Sequence, residues 1–398
     1  MLTKRRLLFI NTLYSPNIGG GAEIILQEQI EGLKAKAYHV AVLVTGPDKG
    51  LKIDKVNDVT VYRAGLKNLY WHFTKKKHNK FLRLVWHFKD RYNNKMRTYV
   101  NDVIKMEKPD VIICHNLTGW SISVWDEIAN AGIPIIQVIH DLYLLCPSSS
   151  MFRGGKACQM QCSDCRLFRA NHVLKSENIN AVIGVSNYIL NRFLSAGYFA
   201  KAQKHVVYNA REIEDTKSKK ERIDNKETLR IGYIGTLSEI KGVEWLINQF
   251  QSIDINATLI IAGRGLVEYE RHLKEIATNE NVSFIGYTSP SDFYSQVDIV
   301  VVPSILGEAF GLVAVEAGAY HLPVIASRIG GLPEIVKDGV NGLLCDVNDP
   351  DSLGLAILSL YNNLNLYNQL SNNSRASVES MLSKEVMLKE YEEIIKSV

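Results

Sequence analysis

Short apolar runs rich in Ile and Val alternate along the chain with longer amphipathic stretches. Parallel strands and their crossover helices leave this pattern when a sheet is buried on both faces. In the first half it predicts strands at 6–11, 39–45, 59–64, 110–115, 134–140, 181–186 and 205–208. In the second half it predicts them at 229–234, 257–262, 282–286, 299–303, 323–327 and 342–346. The pattern restarts once, so the expected class is α/β, with two doubly wound, Rossmann-like domains. Residues 211–227 are polar and charged without apolar periodicity and read as the linker. The expected division is 1–210 and 211–384, with a terminal helix at 385–398 folding back on the first domain. At 398 residues the chain is long enough for two cores.

Composition narrows this picture. With 46% hydrophobic and 22% charged residues and no run of 18 apolar positions, the chain is expected to be globular without a membrane-spanning helix. The basic start, Lys4-Arg5-Arg6, leads into only four apolar residues and no small-residue cleavage site, so it reads as the lead into a buried strand and not a leader peptide. A net charge of +4 hides an asymmetry: residues 1–205 hold 29 Lys/Arg against 15 Asp/Glu, the remainder 17 against 27. The basic half should attract an anion. Residues 67–97 concentrate the charge, with ten Lys/Arg, one acid (Asp90) and interleaved Tyr70, Trp71, Phe73, Phe81, Trp86, Phe88 and Tyr92. This reads either as a basic amphipathic helix on an anionic membrane or as a helix pair whose aromatics pack on the sheet. No recognition module accompanies the charges, so nucleic acid is not an expected partner.

In open α/β sheets ligands bind beyond the carboxyl ends of strands, and two such domains facing each other define a cleft. The loops after strands therefore carry the candidate chemistry. After the first strand, Gly19-Gly20-Gly21 leads into a helix, where bare amides could receive an anion or simply make a tight turn. The spacing is not G-x-G-x-x-G and no acidic residue ends the second strand, which disfavours a nicotinamide enzyme. In the second half Gly235-Thr236-Leu237 precedes Lys241-Gly242, and Gly263-Arg264-Gly265 ends the next strand. A lysine at a strand end can meet a diphosphate, although a surface lysine is the common case. The strongest signal runs from Pro303 to Glu316. Glu308 is expected at a helix mouth, Phe310 beside it, and the amides of Gly311, Leu312 and Val313 at the helix start, with Glu316 two turns on among apolar neighbours. Carboxylates accept hydrogen bonds from sugar and ribose hydroxyls, and the amides suit a phosphate, so the set fits one sugar nucleotide.

These loops in this order resemble the retaining GT-B glycosyltransferases of the family 4 type over nearly the whole chain. In that family two glutamates separated by seven residues mark the donor site, matched here by Glu308 and Glu316, and Lys241 matches the lysine at the donor diphosphate. Gly330-Gly331-Leu332-Pro333-Glu334 and Asp338-Gly339-Val340-Asn341-Gly342 are similar to two further family turns. His140-Asp141 resembles the active-site histidine segment, and Gly20 and Gly21 belong to the family's glycine-rich loop. One position departs: Thr236 stands where the family carries an arginine, and Arg264 is the candidate replacement. The resemblance implies an N-terminal acceptor domain, a C-terminal donor domain, a UDP- or GDP-sugar donor and transfer with retention. His140, Glu308 and Lys241 are then the catalytic set. Gly20, Gly21, Thr236, Arg264, Phe310, Gly311, Leu312, Val313 and Glu316 bind substrate. The acceptor is expected to be a glycan, lipid-linked and met at the inner face of the cell membrane by a peripheral cytoplasmic protein in surface polysaccharide synthesis. A soluble acceptor and a non-catalytic sugar-nucleotide-binding subunit are the alternatives. No cofactor is expected for catalysis, since Asp349-Pro350-Asp351 reads as a helix cap.

Six cysteines remain to be placed. Cys158, Cys162 and Cys165 cluster, with Cys146 twelve residues ahead, a spacing open to a structural zinc or to free thiols. Disulfides would need an oxidising compartment.

Overall fold

The apolar runs form strands whose central members have no exposed face: Phe9, Ile10, Val42, Ile112 and Ile113 are fully buried. The computed structural model describes residues 4–74, 76, 78–215, 222–224 and 227–398. The chain forms two units, Met1–Asn209 with Lys384–Val398, and Ala210–Ser383.

In the first unit the strands are β1 (Arg6–Ile10), β2 (His39–Gly46), β3 (Leu51–Val56), β4 (Val59–Gly65), β5 (Val111–Cys114), β6 (Ile135–Ile139), the small pair β7 (Phe152–Arg153) and β8 (Lys156–Ala157), β9 (Ala181–Gly184) and β10 (Gln203–Val206). The eight-stranded sheet has the order β10-β9-β6-β5-β1-β2-β4-β3. Only β3 runs antiparallel in it, against β4. The sequence pattern misses β3 because Lys52, Asp54 and Lys55 leave no apolar run, and an exposed edge strand is where such charge belongs.

The second unit holds β11 (Leu229–Ile234), β12 (Ala257–Ala262), β13 (Val282–Gly286), β14 (Ile299–Val302), β15 (Val324–Ser327) and β16 (Gly342–Cys345). All are parallel, in the order β13-β12-β11-β14-β15-β16. Leu229, Ile231, Leu259 and Ile299 pack with Leu246, Ile247 and Leu273 of the covering helices. Strand order reverses between β1 and β5 in one unit and between β11 and β14 in the other, and the crevice at such a reversal is where open sheets bind ligands.

Within the segment 211–227, the Arg211 amide donates to the Met381 carbonyl and the Ile213 carbonyl accepts from Arg375, so its start is packed on the second unit. Residues 216–221 and 225–226 of it lie outside the described residues. Helix Lys384–Ser397 belongs to the first unit and buries Met387, Leu388, Tyr391, Ile394 and Ile395. It lies so close to helix Gly21–Ala35 that a Cβ on Gly32 would sit 2.4 Å from Leu388 Cδ1. Lys36 pairs with Glu385 at 2.5 Å and Glu392 at 3.2 Å at the rim.

Ending the chain at Ser383 should therefore destabilise the first unit by about 5 kcal/mol or more, from five lost apolar side chains alone. Calorimetry would show its transition lowered or absent with the transition of the second unit little changed; an unaltered first transition would contradict the packing argument.

Candidate functional site

The second unit's candidate residues gather beyond β11, β12 and β14. Gly242 ends a short 3₁₀ turn with φ +69°, and a Cβ there would lie 1.9 Å from the Pro303 carbonyl oxygen, so the turn after β11 rests directly on the end of β14. The Ile305 amide donates to Ile240 at 3.0 Å across the same contact. The result is that Lys241 Nζ meets Glu308 Oε1 at 2.9 Å, with both side chains partly exposed. The Ser304 hydroxyl also donates to Glu308 Oε1. From the other side the Gly331 amide donates to the Glu308 carbonyl at 2.8 Å, and a Cβ on Gly330 would fall 2.4 Å from the Glu308 nitrogen. The glycine pair after β15 is thus part of what sets the Glu308 loop.

Helix Leu312–Ala319 begins beside this pair. Gly311 precedes it at φ +129°, where a Cβ would strike Leu332 at 2.7 Å. No side chain caps this helix start among the described residues, so the Leu312 and Val313 amides begin it facing away from their own helix. Phe310 is buried beneath the turn. Glu316, mostly buried, accepts from the Tyr294 hydroxyl at 3.0 Å and pairs with Arg211 Nε at 3.4 Å. Burial raises its carboxyl above the usual range, against the lowering by Arg211. Sequence reasoning found Glu316 but neither partner, because Arg211 sits in an apparent linker and Tyr294 in an unremarkable short helix. Thr236 is exposed and its carbonyl accepts from the Tyr233 hydroxyl at 2.9 Å. Beside it runs the turn after β12: a Cβ on Gly263 would lie 1.8 Å from the Gly235 oxygen, and the Leu237 amide donates to the Arg264 carbonyl at 2.9 Å. Arg264 is therefore a neighbour of the Thr236 turn, with its side chain 69% exposed and a long 3.8 Å contact to Glu270.

The first unit's candidates gather beyond β1, β5 and β6. His140 Nε2 lies 2.8 Å from His115 Nδ1 with the rings stacked. Burial lowers His140 to about 4; burial and then the neighbouring His140 hold His115 well below the usual histidine range. Both are neutral at neutral pH, as a pair with one shared proton position requires. Asp141, lifted to about 6 by burial, accepts from the Tyr143 amide at 2.7 Å and from Asn116 at 3.0 Å. Asn116 also joins this loop to Thr12 after β1. Gly20 and Gly21 are exposed at the start of helix Gly21–Ala35, but Glu23 Oε2 accepts from the Gly20 amide at 2.8 Å. The helix start thus presents a carboxylate where the sequence suggested bare amides.

The cysteine spacing left a structural zinc and free thiols open. Among the described residues no group of three or more His, Cys, Asp or Glu is arranged to hold a metal ion. Cys165 touches Cys146 on one side and Cys162 on the other, and burial pushes its thiol up, away from the thiolate a metal needs. Cys158 is engaged through its backbone: its amide donates to Met151 and its carbonyl accepts from Arg192 at 2.9 Å. That bond, the Gln161 bond to Leu145 at 2.7 Å and the Arg153–Asp164 pair hold the segment. All six cysteines are free thiols.

Two family models match the chain in succession: Glycosyltransferase Family 4 over residues 19–215 and Glycosyl transferases group 1 over residues 214–377. An uncharacterised 42.6 kDa protein in the cps region of Klebsiella pneumoniae is 29% identical over 354 residues, 87% of this chain and 92% of that protein. An uncharacterised glycosyltransferase of Methanocaldococcus jannaschii is 27% identical over 370 residues, 88% of each chain. Among solved structures, sucrose-phosphate synthase from Thermosynechococcus elongatus superposes with a TM-score of 0.76 at 19% identity, covering 99% of both chains. Anabaena HepE in complex with UDP and glucose gives 0.72 at 19% identity, covering 99% of this chain and 100% of that one. The lipopolysaccharide outer core galactosyltransferase WaaB gives 0.70 at 16% identity, covering 98% and 99%.

The lowered histidines make a prediction independent of any ligand. A histidine whose folded pKa lies below its unfolded value of about 6.5 contributes stability that is present above that pH and lost as pH falls towards the folded value. Ring NMR should show His115 and His140 neutral from pH 8 down to about 5, and stability should fall below pH 6.5 by up to about 1.4 kcal/mol per pH unit per histidine. His140→Gln should make that slope shallower; protonation of His140 near pH 6.5 would refute the assignment.

Proposed function

The chain belongs to the glycosyltransferases of GT-B fold, and from that premise we propose that it transfers a sugar from a nucleoside-diphosphate sugar with retention of anomeric configuration. The observation that carries the reading is Lys241 held on Glu308 beside the uncapped start of helix Leu312–Ala319. A departing diphosphate gains negative charge as the C1–oxygen bond breaks, and a lysine with oriented amides stabilises charge without having to reorganise. Lys241 and the amides of Gly311, Leu312 and Val313 take the diphosphate in this reading. Glu308 accepts from sugar hydroxyls. Glu316, with acceptor sites beyond those used by Tyr294 and Arg211, takes the ribose hydroxyls. Thr236 and Phe310 line the nucleotide side, and Arg264 supplies the second cation from the adjoining turn. On the first unit, His140 and the loop with Gly20 and Gly21 position the transferred sugar and the acceptor. The acceptor oxygen bonds to C1 on the face the diphosphate leaves, and its proton goes to a leaving phosphate oxygen.

UDP is the first nucleotide to test because HepE was solved with UDP and glucose. The Klebsiella relative's place in a cps region and the WaaB likeness support a surface polysaccharide as the product class. A binder of the folded state raises its stability by about 2.7 kcal/mol at a hundredfold excess over Kd. One of UDP, GDP, ADP or CDP should selectively raise the melting temperature of the wild type, and Lys241→Ala should weaken that shift at least about tenfold in ligand concentration. If a folded sample responds to none of the four, the proposed donor site is wrong.

A lipid-linked acceptor, met by a peripheral protein at the cytoplasmic membrane face, is supported by helix Lys80–Asp90. Phe81, Leu84 and Phe88, at i, i+3 and i+7, are 74%, 52% and 60% exposed, while Trp86 and Asp90 of the same helix are buried. Lys80, Arg83 and Lys89 flank this apolar stripe. An exposed aromatic stripe bordered by cations suits an anionic bilayer. Among the described residues no helix is long and apolar enough to cross one. The protein should sediment with phosphatidylglycerol vesicles and be released by salt, and Phe81→Ser with Phe88→Ser should reduce binding severalfold. Equal recovery of wild type and double variant in the supernatant would favour a soluble acceptor.

A further inference from the structure

We propose that Arg211 is a positioning residue of the nucleotide site: with Tyr294 it fixes the Glu316 carboxylate as a two-point acceptor that selects ribonucleotide donors over 2′-deoxyribonucleotide ones. Its link to ribose rests on the donor reading above; the brace stands on its own geometry within the second unit.

The two oxygens of Glu316 are held separately. Oε1 faces Arg211 Nε at 3.4 Å, and Oε2 accepts from the Tyr294 hydroxyl at 3.0 Å. A carboxylate offers about four lone-pair sites, so each oxygen keeps capacity for a further donor. The Glu316 side chain is 12% exposed, which shields the carboxylate but leaves it within reach of a ligand. One partner on each oxygen fixes the plane of the group. The remaining lone pairs then match two hydroxyls on neighbouring ring carbons, the arrangement of the ribose 2′ and 3′ positions. A 2′-deoxyribose leaves one of the two oxygens without its match.

Both partners are anchored in turn. Tyr294 is buried, with its ring stacked on Tyr320 at 4.9 Å between centroids. The Arg211 amide donates to the Met381 carbonyl at 2.9 Å. Arg375 donates at once to the Ile213 carbonyl at 3.1 Å and to the Ala319 carbonyl, the last residue of the Glu316 helix, at 2.7 Å. The segment carrying Arg211 and the helix carrying Glu316 are therefore tied together independently of their ion pair.

A shielded carboxylate also needs help to stay charged. Burial raises Glu316, and Arg211 and then the Tyr294 hydroxyl act against that rise. The titratable groups acting on it are Arg211, Tyr294 and Tyr320; Asp292 acts on Tyr320, and Arg375 is directed to carbonyls. Burial raises both tyrosines, so they face Glu316 as neutral hydroxyls and Arg211 supplies the positive charge. A protonated Glu316 would turn one acceptor into a donor and lose the two-point match.

The test uses the full chain. Carbon NMR of the carboxyl groups, with Glu316→Gln to assign the signal, should show Glu316 titrating at higher pH in Arg211→Met than in the wild type, and close to the wild type in Arg211→Lys. An unchanged titration in Arg211→Met overturns the proposal whether or not a nucleotide binds. Calorimetry then compares UDP with 2′-deoxy-UDP at about pH 8 and about pH 6. The wild type should prefer UDP about tenfold, changing little between the two. In Arg211→Met the preference should shrink to about twofold or less at the lower pH and widen again at the higher, with Arg211→Lys restoring it. Equal weakening of both nucleotides, with their ratio kept at both pH values, means a merely structural arginine and overturns the proposal. Should Arg211→Met not fold, Tyr294→Phe keeps the ring on Tyr320 and removes the other partner; an unaltered UDP preference in that variant overturns the two-point acceptor. Absent UDP binding by the folded wild type strikes the UDP reading instead, and the Glu316 titration still decides the part played by Arg211.

Discussion

Backbone pressed against backbone is the constraint on which the second unit's site depends. The turn after β11 lies on the end of β14 at Gly242, the turn after β12 lies on Gly235 at Gly263, and the turn after β15 lies on Glu308 at Gly330. At each contact a Cβ would approach backbone atoms closer than 2.5 Å, which no small rearrangement of a side chain could relieve. Three loops from separate strands are thereby locked at one end of the sheet, beside the point where strand order reverses. Lys241 and Glu308 are distant in sequence, and their 2.9 Å pairing follows from that packing more than from their mutual attraction. A partly exposed pair contributes little to stability, roughly 1 kcal/mol or less. Its value lies in holding a cation and an acceptor at the mouth of a helix that has no cap of its own.

The first unit solves a different problem. Its strand-end loops carry buried polar groups: His115 with His140, Asp141 with Asn116 and the Tyr143 amide, Asp90 with Tyr143 and Gly119. Burial keeps the histidines neutral and raises both acids to about 6, so the acids still carry charge at neutral pH. Arg169 moderates this, stacking 4.3 Å over the Tyr143 ring and donating to the Tyr143 carbonyl at 2.8 Å.

Much of the scaffold was legible because buried parallel strands write themselves as continuous apolar runs. β11 and β12 fall where Leu229 to Ile234 and Ala257 to Ala262 predict them. β3 was not legible, since an edge strand of Lys52, Ile53, Asp54 and Lys55 has no buried face to show. Glu308 and Lys241 could be singled out because glycines mark the loops that hold them. Tyr294, Arg211 and His115 could not, because each acts through a contact across 22 residues or more that no local pattern encodes. The cysteine spacing left two readings open for a related reason: spacing permits convergence, but the segment is held by Arg192 and Gln161, which lie outside the motif or look neutral within it. The aromatics of residues 67–97 were read as facing one way, whereas Trp86 turns inward and Phe81 and Phe88 outward on one helix.

Charge poses the remaining question for the donor reading, because the second half of the chain is the acidic one, with 17 Lys/Arg against 27 Asp/Glu. An anionic donor would be repelled if that excess acted at long range. At physiological ionic strength charges farther away than about 8 Å are largely screened at the surface, so the groups within reach decide. Those are Lys241 with its partner Glu308, the start of helix Leu312–Ala319 and, from the turn beside Thr236, Arg264. A helix start carries about half a unit of positive charge, fixed in direction by the backbone. Arg264 is exposed and long, and ordering it over a ligand costs side-chain entropy that a buried arginine would already have lost on folding. With Thr236 in the nearer position, more of the diphosphate's stabilisation must come from Lys241 and the helix amides, whose geometry is set by the glycine contacts and requires no such ordering.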